Sequence, residues 1–335
     1  MTVDDIPLPA LIGDIGGTNS RFALIEAASP AIMRFADERT ASHATIGDAI
    51  ELVLRKADRR PRSALLALAG PIAGEAVQLT NSGWKVVPKE LIARFDLAEV
   101  ILLNDFEALS LSLADLLPGD VDQIGGGTAL PERTRIALGP GTGLGAGALI
   151  HARGTWIPIP GEGGHIDLGP VTERDMAIWP HIEWNGGRVS AETLLCGPGL
   201  VRLYRAVAAT NGNDPSLASP ADVAAAGLAG RDASAAEAVH LFATYLGRVA
   251  SDLALVFIAL GGVYLAGGIP GRIAPALKTG AFREAFVDKF PHRALLERMS
   301  TAIITKPDAA LAGIAALARR PSRFGVELAG RRWRG

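Results

Sequence analysis

One local pattern occurs twice in this sequence, and each copy narrows what the chain can fold into. Residues 11–26, "LIGDIGGTNSRFALIE", are an apolar run, a break of glycines with an aspartate and a threonine, and a second apolar run. In a P-loop or a dinucleotide fingerprint the glycines open a helix. Here Phe22, Leu24 and Glu26 alternate with Arg21, Ala23 and Ile25, which is the period of a strand. The expected unit is strand, glycine turn, strand. Residues 135–150, "RIALGPGTGLGAGALI", repeat it: at a fixed offset Gly16 falls on Gly141 and "ALI" falls on "ALI". Glycine turns let backbone N–H groups come close to an anion. Two copies predict two related α/β halves facing one another across a cleft, each offering N–H groups to one end of a polyphosphate.

Further α/β signals lie between and beyond the copies. "SALLALAGPI" reads as a buried strand ending at Gly70–Pro71, and "EVILLNDFEALSLSLADLL" as a strand running into a helix. Asn104 and Asp105 then sit where a strand ends, the usual address of ligand-binding groups in such sheets. In "VYLAGGIPGRIAPAL" the Gly267–Gly268 turn leads into a helix whose N-terminus can approach a nucleotide. With 335 residues the chain is too long for one ordinary core. A boundary near residues 116–120 gives a small domain over 1–116, completed by a returning helix at about 307–320. A large domain covers 117–306, and an arginine-rich tail covers 321–335. That tail reads as solvated and poorly ordered rather than as a nucleic-acid arm.

Composition removes several classes. With 49% apolar and 20% charged residues the chain is not disordered, and a net charge of −2 calls for neither a nucleic-acid nor an acidic-membrane partner. The single cysteine, Cys196, excludes a disulfide framework and a zinc cysteine cluster, and suits a reducing compartment. The first residues lack the basic and apolar regions of a signal peptide. Residues 253–271 carry no charge and approach spanning length, but their glycines fit helix, turn and strand in a soluble core.

Four stretches carry the chemistry, and each has a plainer explanation. Asp14 bonds its own turn, or holds Mg²⁺ through water beside a nucleotide phosphate, with Gly16, Gly17 and Thr18 on the phosphate oxygens. Asn104 and Asp105 cap a helix, or bind a substrate hydroxyl and accept its proton during phosphoryl transfer; the two readings are compatible. In "PGEGGHIDLGP", Glu162, His165 and Asp167 are incidental polar residues of a glycine loop, or are held rigidly to recognise a polyol. Metal binding by Glu162 and His165 lacks a third ligand at a standard spacing. Glu192 opens a helix after Ser190, as part of a capping turn or as a ligand.

Taken in order, "GDIGGTNSRFAL", "LNDFEALSL", "GPGTGLGAGALI", "PGEGGHIDLGP", "VSAETLLCGPGLVRLYRA", "VYLAGGIPGRI" and "GAFREAFVDK" resemble the bacterial glucokinases of the hexokinase–actin–heat-shock-ATPase superfamily. The resemblance implies a two-domain actin-like ATPase (ribonuclease H-like) fold with an interdomain cleft. It implies ATP-dependent phosphorylation of D-glucose to glucose 6-phosphate, the opening step of glycolysis, in a cytoplasmic homodimer. By position, Gly13, Asp14, Ile15, Gly16, Gly17 and Thr18 and the second turn with Gly141, Thr142 and Gly143 would embrace the ATP phosphates, with Mg²⁺ at Asp14. Gly267 and Gly268 would lie near the adenosine. Asn104, Glu162, His165 and Glu192 would ligate glucose, and Asp105 would be the base. Closure of the two domains would exclude water. Residues 166–184 contain no cysteine, unlike the zinc-binding ROK sugar kinases and repressors. A kinase for another hexose or N-acetylhexosamine is the nearest alternative. A sugar-binding regulator without turnover is the other, and Asp105 and the early first strand both argue against it.

Overall fold

The structure is a computed structural model and describes residues 4–335 other than 28, 30, 71, 80, 81, 185 and 186. Pro71, part of one expected strand end, therefore lies outside the described residues. The chain divides into two compact units. One comprises the chain through Leu116, with Leu149–Pro160 and Pro307–Gly335; the other comprises Leu117–Ala148 and Gly161–Lys306.

The first unit is built on a seven-stranded mixed sheet. Its order is Arg332–Arg334, Glu99–Asn104, Ser63–Leu68, Ala10–Ile15, Asn19–Ile25 and Ile32–Arg34, and Glu38–Arg39 also pairs with Asn19–Ile25. The first copy of the repeated pattern is thus a hairpin, with Gly13 opposite Phe22 and Asp14 opposite Arg21. Ser63–Leu68 runs parallel to both neighbours and is buried along its whole length. Its unalternating "SALLAL" follows from cover on both faces. Ile15 pairs with Leu68, and Leu68 with Asn104, so three strands end together and deliver their following turns to one edge. Thr45 starts the Ile46–Leu54 helix by a capping box with Asp48. Ile46, Ile50 and Val53 then join Leu11, Phe22, Leu66 and Leu102 in one core. Burial of Phe22 alone stabilises the fold by roughly 1.5–3 kcal/mol. The Ala309–Arg319 helix packs on the Asp105–Ser112 helix. Their backbones nearly touch: a Cβ added to Gly313 would lie 2.0 Å from the Ala108 carbonyl oxygen.

The carboxyl-terminal segment corrects the expectation of a poorly ordered tail. Arg332–Arg334 is an edge strand, antiparallel to Glu99–Asn104. Its arginines are there to meet buried acids: Arg331 pairs with Glu107, and Arg332 with Glu99.

In the second unit Arg135–Pro140, Val263–Leu265, Thr301–Ile304 and Val121–Gly125 are neighbours in that order in a sheet. Arg135–Pro140, Val263–Leu265 and Thr301–Ile304 are parallel, and Val121–Gly125 closes the edge antiparallel. The Asp232 side chain caps the long Ala233–Phe257 helix by accepting from Ala235 N–H at 2.9 Å. Gly247 lets the Ala281–Val287 helix lie close, since a Cβ there would meet the Phe282 carbonyl oxygen at 2.3 Å. The long helix is apolar enough to cross a membrane by length and composition, yet 61% of its most apolar window is buried within the protein. Residues 253–271 divide among the end of this helix, the Val263–Leu265 strand and the short Gly268–Arg272 helix. They form no single span.

Candidate active site

In the first unit the site residues cluster at the common edge of the three strands. Gly13 and Ile15 belong to the core of that edge. Ile15 is fully buried, and a Cβ on Gly13 would meet Leu66 Cδ2 at 2.8 Å, so a larger residue there would have to displace core side chains. The turn beyond is held by its own hydrogen bonds. Gly16 N–H donates to the Asn19 carbonyl at 3.0 Å, Thr40 Oγ1 donates to the Gly16 carbonyl at 2.9 Å, and Thr40 N–H to the Thr18 carbonyl at 3.0 Å. Because Gly16 N–H closes the turn, half-buried Gly17 and exposed Thr18 are the better placed of these residues to meet a phosphate.

Asp14 sits among charges that sequence reading did not find. Arg21 Nη1 donates to its carboxylate at 3.1 Å, and Arg21 Nε lies 3.5 Å from Asp37 and 3.7 Å from Asp308. Arg34 links Asp37 and Asp308 at 2.5 Å each. Burial pushes the Asp14 carboxyl above its usual range, Arg21 opposes that, and Asp308 and Asp37 add to it. Arg21 is brought to Asp14 by the hairpin register, and Asp308 arrives from the far end of the chain and left no local signal.

Asn104 and Asp105 follow the next-but-one strand. Asn104 is the cap of the Asp105–Ser112 helix: its Oδ1 accepts from Phe106 N–H at 2.9 Å and from Glu107 N–H at 3.2 Å. Its Nδ2 donates to the Gly70 carbonyl at 3.3 Å, tying it to the neighbouring strand's turn. Asp105 is the first residue of the helix, and its Oδ1 accepts from Phe106 N–H at 2.9 Å. A helix's first turn favours negative charge. The capping explanation is therefore correct for Asn104, and the carboxylate beside it is not the cap.

In the second unit three segments meet on the backbone of Leu144, at the end of the second glycine turn. Leu144 N–H donates to Glu192 Oε2 at 2.7 Å. Gly164 lies against the Leu144 carbonyl so closely that a Cβ would be 2.0 Å from its oxygen, and a Cβ on Gly163 would be 2.9 Å from that of Ala146. Of the two glycines of "EGGH", Gly164 thus serves a close backbone approach, while Gly163 leaves room for the Ala146 side chain. Gly143 instead makes room for a side chain, since a Cβ there would meet the Glu192 carboxylate oxygen Oε2 at 2.4 Å. The turn is completed by Gly141 N–H to the Gly143 carbonyl at 2.8 Å and Gly197 N–H to the Gly141 carbonyl at 2.9 Å, with Thr142 exposed between them.

Glu162 and His165 stand on this platform, exposed, with His165 Nε2 3.8 Å from Glu162 Oε2. Ala191 N–H donates to the Ile166 carbonyl at 2.8 Å, which fastens the Glu192 turn to the same loop. Ser190 caps that turn in a box with Thr193. Asp167 is taken up by Arg188, which also donates to the His165 carbonyl at 2.7 Å. Sequence reading missed Arg188 and Leu144; the first is an ordinary arginine in a polar stretch, and the second acts only through its backbone. Gly267, at φ 87°, has its Cβ position 3.0 Å from the carbonyl oxygen of Pro140, the residue before the second glycine turn. Gly268 next to it borders open space. The site residues therefore form two groups, one in each unit: Gly13–Thr18 with Asn104 and Asp105, and the second turn with Glu162, His165, Glu192, Gly267 and Gly268.

Comparison with known proteins gives the family and the fold. The Glucokinase family model matches residues 11–321. The glucokinase of Rhizobium meliloti is 53% identical over 98% of this chain and 97% of its own. The glucokinase of Chelativorans sp. is 52% identical over 98% and 96%. A crystal structure of glucokinase from an Antarctic psychrotroph superposes with a TM-score of 0.84 at 32% identity, covering 93% of this chain and 98% of that one. A ROK family glucokinase from Streptomyces griseus, solved with glucose and AMPPNP, shares the fold at a TM-score of 0.62 and 20% identity over 93% and 99%. The actin-like ATPase fold that the family resemblance implies is thereby established. By the extent of these matches, the chain belongs to the glucokinase family.

Proposed function

We propose the following division of labour for the family's reaction, transfer of the γ-phosphoryl group of ATP to the 6-hydroxyl of D-glucose. One observation carries it: a carboxylate that is not the cap, Asp105, opens a helix at the edge where three strands end. Carboxylates are ionised at neutral pH, and one held in this way accepts the proton of the attacking hydroxyl. Asn104, Glu162, His165 and Glu192 supply the donors and acceptors that glucose hydroxyls require. The two glycine turns hold the ATP phosphates through backbone N–H groups, and Gly267 and Gly268 lie by the adenosine.

Mg²⁺ suits Asp14. That ion takes one or two carboxylates and completes its shell with phosphate oxygens and water. Among the described residues no group of three or more His, Cys, Asp or Glu side chains could hold a metal ion, so no all-protein cage competes for it. When bound, Mg²⁺ neutralises charge on the transferring phosphoryl group. The enzyme acts in the cytoplasm as a homodimer, a reading that rests on the family resemblance and, for the compartment, on the lone buried Cys196.

An ADP-release assay over glucose, mannose, fructose and N-acetylglucosamine tests the sugar, with EDTA and Mg²⁺ added in turn. Glucose is expected to give the highest kcat/KM, and activity should stop with EDTA and return with Mg²⁺. Preference for another sugar, or full activity in EDTA, would refute the corresponding part.

A further inference from the structure

The carboxyl-terminal segment reaches the Asp105 helix from behind. Glu107, on the helix's first turn, is 1% exposed. Its Oε2 accepts from Asn104 N–H at 3.3 Å, completing the capping box, and from Arg331 Nη1 at 2.7 Å; Oε1 accepts from Arg331 Nη2 at 3.2 Å. Arg331 is fixed in turn. Its carbonyl accepts from Leu102 N–H at 3.0 Å, its N–H donates to the Leu328 carbonyl at 2.9 Å, and Nη2 also donates to the Glu327 carbonyl. Leu102 and Asn104 share the strand that presents Asp105.

A buried carboxylate without a cation is costly, and here burial pushes the Glu107 carboxyl up while Arg331 opposes it. An apolar pair would fill the same space at no loss of stability, but it would leave Asn104 N–H without its acceptor. We propose that Arg331 is a positioning residue for Asp105: it holds the Glu107 carboxylate that fixes Asn104 and the first helical turn. The inference rests on Asp105 being the base.

The protein contains its own control. Arg332 donates to the buried Glu99 at 2.8 and 3.1 Å on the same pair of strands, at the other end of the strand from Asn104. The experiment compares Arg331→Met, Arg331→Lys and Arg332→Met by melting temperature, kcat, and KM for ATP, at a temperature where all are folded. Both Met variants should melt earlier. Only Arg331→Met should lose kcat, by about tenfold to a hundredfold as for a misplaced reacting group, with KM for ATP within about twofold. Arg331→Lys keeps the charge, folds, and should recover part of kcat. In an Asp105→Asn background, Arg331→Met should cost nothing further.

Wild-type kcat in a folded Arg331→Met variant would overturn the proposal, as would equal kcat losses in the two Met variants. If Arg331→Met does not fold, Arg331→Lys decides against Arg332→Lys: equal kcat in those two also overturns it. Failure of the underlying reading looks different, because Asp105→Asn itself would then turn over normally.

Discussion

Gly164→Ala is the sharpest test of how the loop that carries Glu162 and His165, the proposed sugar ligands, is seated. The new Cβ would lie 2.0 Å from the Leu144 carbonyl oxygen, 3.0 Å from its carbon and 3.1 Å from the Leu144 Cβ. Backbone cannot swing aside as a side-chain tip can, so the loop must retreat by about 1.4 Å to reach ordinary contact, an overpacking that costs about 1–3 kcal/mol. Glu162 and His165 flank the displaced residue and move with it. If the cost falls on sugar binding, KM for glucose rises about fivefold to 160-fold. If it falls on the fold, the melting temperature drops instead, so both are measured. Gly161→Ala and Gly169→Ala are the controls, because nothing lies within 4 Å of a Cβ at either position. Saturation curves in glucose and in ATP should show the glucose KM rising for Gly164→Ala alone, with the ATP KM steady. Wild-type melting and wild-type glucose KM in Gly164→Ala would refute the close approach.

Other consequences can be measured directly. Glu162→Gln and His165→Ala should both raise KM for glucose, the second by the equivalent of about 2 kcal/mol or more because packing goes with the bond, while KM for ATP stays within a few-fold; the opposite pattern would make this loop a nucleotide element. Gly313→Ala puts a Cβ 2.0 Å from the Ala108 carbonyl oxygen, so unfolding in urea should show a loss of about 1–3 kcal/mol; an unchanged midpoint would count against the helix contact. Asp14→Asn should leave the melting temperature unchanged or higher, since burial disfavours the charged form. It should also lower kcat by about 10²–10³, as loss of one transition-state contact does. Retained activity would remove Asp14 from the phosphate site.

What could be read from the chain alone divides along physical lines. The hairpins were legible because strand alternation beside a glycine turn is a local signal; the register that puts Asp14 opposite Arg21 is set by the turn and was not. The unbroken "SALLAL" and the strand-to-helix step at Asn104–Asp105 were legible for the same reason. Backbone-mediated contacts were not. Leu144 carries the platform under Glu162 and His165 through its N–H and carbonyl, which no side-chain pattern announces. The arginine-rich end misled because composition reports average solvation, whereas Arg331 and Arg332 each meet one buried acid more than 200 residues away in sequence. Glu107, enclosed although it is a carboxylate on a short helix, had no local signal either.

The measurement that bears most directly on the whole account is turnover of Asp105→Ala set beside its affinity for glucose by calorimetry. Loss of a general base should lower kcat by about 10²–10⁴, with the glucose Kd staying within about tenfold of wild type. A kcat near wild type would contradict the assignment of Asp105 as the group that takes the proton.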